Sequence, residues 1–181
     1  MGIISKLLGM KSKEELKTMQ LIEDLRPLKP KIDLEVFSIN NSILNKAISS
    51  SESFFIYFNI NEVLDIPEDG IEIGLKDNLL DYVYINLESF KGEFCLNGDK
   101  LILNVKNSPQ DIIDVFGEPY WTDRSDDEII LFYEYKKGFI ELQFEFSDSI
   151  QLSYITLMCN GILSTQDQRE AYNVSKQWPP N

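Results

Sequence analysis

The sequence predicts an α+β fold, with a mostly antiparallel sheet, an N-terminal helix, and a helix at about 109–116 that leads into a three-stranded meander. Helical signals at 109–116 and three strand-like stretches at 129–135, 139–146 and 152–158 carry the prediction. Apolar residues that repeat every three to four positions indicate helices, whereas strict alternation indicates strands. A helix followed directly by neighbouring strands is typical of a meander that buries one face.

The helix at about 109–116 has clear boundaries. Ser108 is a good N-cap, Pro109 occupies the first helical position, and Asp111 can complete a capping box. Gly117 stops the helix as the residue beyond its C-terminus. An apolar stripe of Ile112, Val115 and Phe116 is then expected to face the sheet.

A two-residue turn is the strongest local signal in the first half of the chain. Asn97 and Gly98 form the pair preferred in type I′ turns, because both central residues need a positive φ. This turn places Phe94 opposite Leu101 in a β-hairpin.

The chain is expected to form a single domain over residues 1–181. An N-terminal helical segment (1–26), a β-rich half (31–106), the helix and meander (107–159) and a C-terminal tail (160–181) make up this domain.

Within the first two parts, Ser12 and Glu15 form a capping box that predicts a helix ending at Pro27. Alternating or unbroken apolar stretches predict strands at 32–36, 54–60, 71–75 and 82–87.

The charge of the chain favours a basic protein as partner. The formal net charge is −13, and binding to nucleic acid or to an anionic membrane needs clustered Lys and Arg. The alternative is that the acidic residues only keep the protein soluble. The first ten residues are apolar but too short for a membrane span, so membrane contact is not expected. The oligomeric state is left open.

The residue types restrict the chemistry. There is no histidine, which removes Ser-His-Asp and Cys-His machinery and every zinc site that uses imidazole. Cys95 and Cys159 each end an apolar strand and are expected to be core thiols of a reducing, cytoplasmic compartment. No cofactor and no metal are predicted.

Four acidic residues cluster before the first strand of the meander: Asp123, Asp126, Asp127 and Glu128. Such a turn could be solvated, could form an acidic lip that binds a partner, or could hold a divalent cation. The spacing differs from that of an EF-hand loop, which needs ligands at alternate positions.

Three further carboxylates, Glu134, Glu141 and Glu145, project from strands that should be neighbours. In the stretch 139–146, Glu141, Gln143 and Glu145 alternate with apolar residues, which predicts one core face and one wet, acidic face. Paired carboxylates could also perform acid and base catalysis, but nothing in the sequence specifies a pocket. An enzyme is therefore not predicted, and a carboxylate-dependent hydrolase stays as a low-weight alternative.

Two aromatic residues, Tyr120 and Trp121, lie beside the acidic cluster. Aromatic anchors surrounded by charge are typical of interface hot spots. The alternative is that both fold under the end of the helix as core.

The pattern Ser-Pro-Gln-Asp-Ile-Ile-Asp-Val-Phe-Gly-Glu-Pro and the three strands after it, residues 108–158, resemble the helix and three-stranded unit of β-lactamase inhibitor protein and of BamE-like proteins. The small, acidic chain is also similar in general appearance to immunity proteins encoded beside bacterial toxins. These resemblances imply binding and inhibition of another protein.

The function predicted from the sequence is protein binding in the cytoplasm. The chain would be an inhibitor or immunity protein that neutralises a basic toxin or nuclease domain by occlusion. The predicted contact residues are Tyr120, Trp121, Asp123, Asp126, Asp127, Glu128, Glu134, Glu141 and Glu145. The alternative is a structural or adaptor protein that docks through its apolar N-terminal segment.

Overall fold

A computed structural model describes residues 30–48, 63–125, 128–147 and 150–180. These residues form twelve strands in two sheets, with two α-helices and two short 3₁₀ helices. The architecture is therefore mostly β.

The larger sheet has seven strands, each antiparallel to its neighbours, in the order β4-β5-β6-β12-β11-β10-β9. The strands are β4 (Val63–Ile66), β5 (Ile71–Lys76), β6 (Leu79–Asn86), β9 (Trp121–Ser125), β10 (Glu128–Tyr135), β11 (Ile140–Phe146) and β12 (Leu152–Cys159).

The smaller sheet has five short strands in the order β3-β2-β1-β7-β8. They are β1 (Lys31–Asp33), β2 (Ser38–Ile39), β3 (Ser42–Ile43), β7 (Glu93–Leu96) and β8 (Asp99–Leu101). Strands β1 and β7 pair in parallel, which brings together parts of the chain about sixty residues apart. The other pairs in this sheet are antiparallel.

Helix α1 (Pro109–Phe116) lies on the inner side of the larger sheet. Its Ser108 N-cap and Asp111 form the predicted capping box. Ile112 is fully buried, and the Phe116 ring lies 5.0 Å from the Phe144 ring on β11. The helix prediction and its boundaries are confirmed, and Gly117 takes a positive φ of 78° at the end of the helix.

One apolar core joins the two sheets and α1. The inner face of the larger sheet contributes residues such as Ile85, Phe144 and Ile155, and the smaller sheet contributes Ile32 and Ile39. Across the core, the rings of Phe37 and Tyr135 approach to 4.9 Å between centroids. Burial of this apolar surface is the main term that holds the layers together.

The prediction of an α+β fold is wrong. The described residues contain only two α-helices, of eight and six residues, and the first half of the chain builds a second sheet instead of only extending the first. Short strand signals do not specify their partners, so the parallel pair between β1 and β7 could not be predicted from the sequence. The N-terminal helical segment 1–26 and the strand predicted at 54–60 lie outside the described residues.

Several predictions of local elements are confirmed. Strands β10, β11 and β12 form the predicted meander, and Phe94 pairs with Leu101 across the Asn97-Gly98 turn. The predicted strand at 32–36 is too long, because Asp33 Oδ1 accepts hydrogen bonds from the backbone N–H groups of Glu35 and Val36 and turns the chain. Strand β5 ends one residue later than the strand predicted at 71–75. Strand β6 begins three residues earlier and ends one residue earlier than the strand predicted at 82–87.

Candidate functional site

The outer face of the larger sheet divides into a covered part and an open part. The C-terminal segment, residues 161–178, lies over strands β9, β10 and one end of β11. It contains a 3₁₀ helix (Ile162–Ser164) and helix α2 (Gln166–Ala171), which Thr165 caps. Beside it, strands β5, β6, β12 and the other end of β11 form an open groove.

A second apolar cluster holds the C-terminal segment to the sheet. Leu163 is fully buried against Ile130 and Phe132 of β10, and the Tyr172 ring meets the Phe132 ring edge-on at 5.2 Å. Trp178 packs against Tyr120 at 5.7 Å between ring centroids. The predicted wet face of the meander is therefore dry where this segment crosses it.

Glu141 on β11 is fully buried and anchors the C-terminal segment. Its two carboxylate oxygens accept hydrogen bonds from the backbone N–H groups of Ile162 at 2.9 Å and Leu163 at 3.0 Å. Gln143 donates a further hydrogen bond to the same carboxylate. A Cβ at Gly161 would lie 2.3 Å from the Glu141 Cβ, so only glycine lets the segment approach this closely.

Glu134 lies directly opposite Glu141 in the register of β10 and β11. Both of its carboxyl oxygens are buried, and among the described residues neither has a hydrogen-bond partner apart from the neighbouring Glu141 carboxyl group. Burial, with the adjacent Glu141 as the second cause, raises the pKa of Glu134 to about 9. Glu134 is therefore protonated at neutral pH and does not contribute a negative charge.

The predicted aromatic anchors, Tyr120 and Trp121, are both half-buried and belong to the second apolar cluster. The Tyr120 hydroxyl donates to the backbone oxygen of Gln177 at 3.1 Å. Tyr120 therefore helps to hold the C-terminal segment on the sheet.

Two residues of the predicted acidic turn, Asp123 and Glu128, lie in strands. Residues 121–125 form β9, in which Asp123 pairs with Ile130 and Ser125 pairs with Glu128. Asp123 is half-buried and Glu128 is exposed, whereas Asp126 and Asp127 lie outside the described residues. Within the described part of the chain, no group of three or more acidic or sulfur ligands is placed to hold a metal ion.

The open part of the outer face forms a groove of about 540 Å³, called the tyrosine groove below. Its lining includes residues from four strands: Glu72 on β5, Asp81, Tyr82 and Tyr84 on β6, Glu145 on β11, and Thr156 on β12. Of the seven described residues among those predicted to contact a partner, only Glu145 lines this groove.

The tyrosine side chains are fixed in place by their neighbours. The Tyr82 ring lies over Gly74, where an added Cβ would come within 1.9 Å of the ring, and its hydroxyl donates to Glu72 at 2.5 Å. Tyr84 and Tyr154 stack at 5.3 Å between centroids with an interplanar angle of 24°. Tyr82 and Tyr84 are therefore preorganised aromatic walls of the groove, and Tyr154, which lies outside its lining, stacks on Tyr84 at its edge. Preorganisation lowers the entropic cost of binding.

The groove is acidic and partly desolvated. Burial and the nearby Glu128 raise the pKa of Glu145 to about 6, against a hydrogen bond from Thr156 that lowers it. Burial also raises the pKa of Asp81, which Lys76 partly offsets. None of the described residues that line the groove is lysine or arginine, so its carboxylates lack a cation within the lining.

Sequence reasoning missed Glu72, Asp81, Tyr82 and Tyr84. A sequence pattern pointed to the two tyrosines, because Tyr82 and Tyr84 alternate with the core residues Val83 and Ile85. This alternation places both tyrosines on the outer face. What the sequence lacked was the pairing of β6 with β12, which aligns Tyr84 with Thr156 and brings the groove together.

Comparisons with protein-family models, curated proteins and solved structures find no match for this chain. The resemblances of residues 108–158 and the expected role as an immunity protein therefore remain predictions. Among the described residues, no helix has the length and apolar character needed to cross a membrane.

Proposed function

We propose that the protein binds a basic protein partner through the tyrosine groove and acts by occluding the surface that it covers. The observation that carries this proposal is the groove's composition. It brings Glu72, Asp81 and Glu145 together with aromatic walls, and no lysine or arginine among the described residues lines it.

Electrostatics support a cationic partner. Carboxylates that repel one another gain free energy when a cation enters, and partial burial strengthens the attraction relative to bulk water. The net charge of −13 adds a long-range field of the same sign. Such a field raises association rates by about 10-fold to 1,000-fold at low salt.

The aromatic walls supply the rest of the binding energy. Tyrosine combines a large apolar surface with a polar end, and it is enriched at interface hot spots. Tyr82, Tyr84 and Tyr154 are each half-exposed on the open part of the sheet. They can therefore contact a partner without any rearrangement of the core.

The interface proposed here differs from the one that the sequence predicted. Glu134 and Glu141 lie at the covered end of the sheet, beside the C-terminal segment. The residues proposed for contact are instead Glu72, Tyr82, Tyr84, Glu145 and Tyr154. An inhibitor or immunity factor against a toxin or nuclease domain is the biological role proposed for such a contact.

Affinity capture at low salt, followed by identification of the partner and titration of the purified pair, tests the proposal. The double variant Asp81→Asn and Glu145→Gln should bind at least 10-fold more weakly and with a shallower dependence on salt. The matched control, Asp123→Asn with Glu128→Gln, removes the same charge at β9 and β10 and should bind within 2-fold of wild type. A larger loss in the control than in the groove variant, or a partner that is not basic, would overturn the proposal.

A further inference from the structure

Glu145 is one of three acidic residues among the described residues that line the tyrosine groove. It lies on β11 opposite Tyr154 of β12 in the strand register, and Thr156 beside it provides a hydrogen bond to the carboxylate. Tyr84 of β6 pairs with Thr156 and stacks on Tyr154. A carboxylate thus lies next to the two stacked tyrosine rings.

The groups that face Glu145 from the surrounding elements are all acidic or neutral. They are Glu128 from β10, Tyr84 from β6, Tyr154 from β12 and Tyr172 from the C-terminal segment. Glu128 is exposed and repels Glu145. Within the described lining of the groove, nothing neutralises Glu145 when it is ionised.

We propose that Glu145 and the stacked pair Tyr84 and Tyr154 form a seat for the guanidinium group of one arginine side chain of the partner. This inference rests on the proposed function, because it names the chemical group that the groove would recognise. A guanidinium is planar and presents paired N–H donors. It can therefore stack on a tyrosine ring while donating to a carboxylate.

The geometry favours arginine over lysine. An ammonium group is strongly hydrated and lacks a flat face, so it gains less from a stacked aromatic wall and loses more on partial burial. The groove volume of about 540 Å³ is ample for one extended side chain. Arginine compounds should consequently bind more tightly than lysine compounds of the same charge.

Binding at this seat should release a proton. The pKa of Glu145 is about 6 in the free protein because of burial and Glu128, and a bound cation favours the ionised carboxylate. If only the ionised form binds, the affinity should fall about 10-fold between pH 7.5 and pH 5.0, since the ionised fraction falls by that factor.

The test is a titration of the full-length ¹⁵N-labelled protein with N-acetyl-argininamide at low salt, followed by amide NMR shifts. N-acetyl-lysinamide is the matched ligand control. Saturable shifts are expected at the amides of Glu145, Tyr154 and Thr156. Arginine should bind at least 3-fold more tightly than lysine, and its affinity should show the stated pH dependence.

Two variants complete the test. Glu145→Gln should weaken binding at least 5-fold and remove its pH dependence. Glu128→Gln should retain the binding but move the midpoint of the pH dependence to lower pH, because Glu128 is one cause of the raised pKa of Glu145. The pH dependence of the wild-type protein is a separate readout, so the proposal stays falsifiable if Glu145→Gln does not fold. Shifts that are absent, spread over the whole surface or unchanged in Glu145→Gln would overturn the arginine seat. If a basic partner still binds through the groove in that case, the proposed function stands and only the seat fails.

Discussion

Replacing Glu134 by glutamine should stabilise the protein at neutral pH. In the folded state Glu134 is protonated beside Glu141, because burial raises its pKa from 4.5 to about 9. The unfolded chain loses this proton above its ordinary pKa, so the folded state holds the extra proton between these two values. Stability from this group is complete below about pH 4.5 and is lost as the pH rises toward the folded value.

The size of the effect follows from the pKa difference. Each pH unit between the two pKa values corresponds to about 1.4 kcal/mol. Between pH 4.5 and pH 7, the raised pKa of Glu134 therefore lowers the free energy of unfolding by about 3 kcal/mol, relative to a side chain that does not titrate. Glutamine has the same shape, carries no charge in either state, and can donate an amide N–H to Glu141 where the carboxyl proton did.

Urea unfolding followed by tryptophan fluorescence at pH 5, 6, 7 and 8 measures this difference. Glu134→Gln should match wild type within about 1 kcal/mol at pH 5 and exceed it by about 2 to 3 kcal/mol at pH 7. Glu128→Gln, which removes an exposed carboxylate from the same strand, should show no comparable gain. A variant that is less stable than wild type at pH 7, or a difference that does not grow with pH, would refute the account of the carboxyl pair.

Three further changes test how the outer face of the larger sheet and helix α1 are built. Glu141→Gln removes the charged acceptor for two backbone N–H groups of the C-terminal segment; it should cost about 2 to 4 kcal/mol of unfolding free energy, and hydrogen exchange should rise first in that segment. Gly74→Ala places a methyl group 1.9 Å from the Tyr82 ring; it should cost about 1 to 3 kcal/mol and lower the melting temperature. Ser108→Ala removes the capping box that it shares with Asp111; it should cost about 1 kcal/mol in chemical denaturation, and an unchanged midpoint would contradict the cap.

The candidate site was only partly predictable. Glu145 was selected from its alternation with Leu142 and Phe144, and the structure places it in the groove. Its neighbours Glu72 and Tyr84 could not be connected to it, because strand pairing between residues sixty or more apart is set by the whole fold. The position of Asp123 could not be predicted for a similar reason, since it is the pairing of β9 with β10 that places Asp123 in a strand.

The sequence by itself determined the local elements. Asn97 and Gly98 specified the hairpin, Ser108 and Asp111 specified the start of α1, and the alternation from Ile140 onward specified β11. Each of these depends on steric preferences and hydrogen bonds among residues close in sequence, so the signal is complete within a few positions.

Only the tertiary structure decided what lies on each face. Glu141 and Glu145 both alternate with core residues along β11, and no neighbouring residue in the sequence distinguishes one glutamate from the other. Yet Glu141 is fully buried under the N–H groups of Ile162 and Leu163, whereas Glu145 lines an open groove. The difference arises because the C-terminal segment crosses one end of the sheet and leaves the other end uncovered. Its path depends on distant apolar contacts with Ile130 and Phe132 that no periodicity in β11 could reveal.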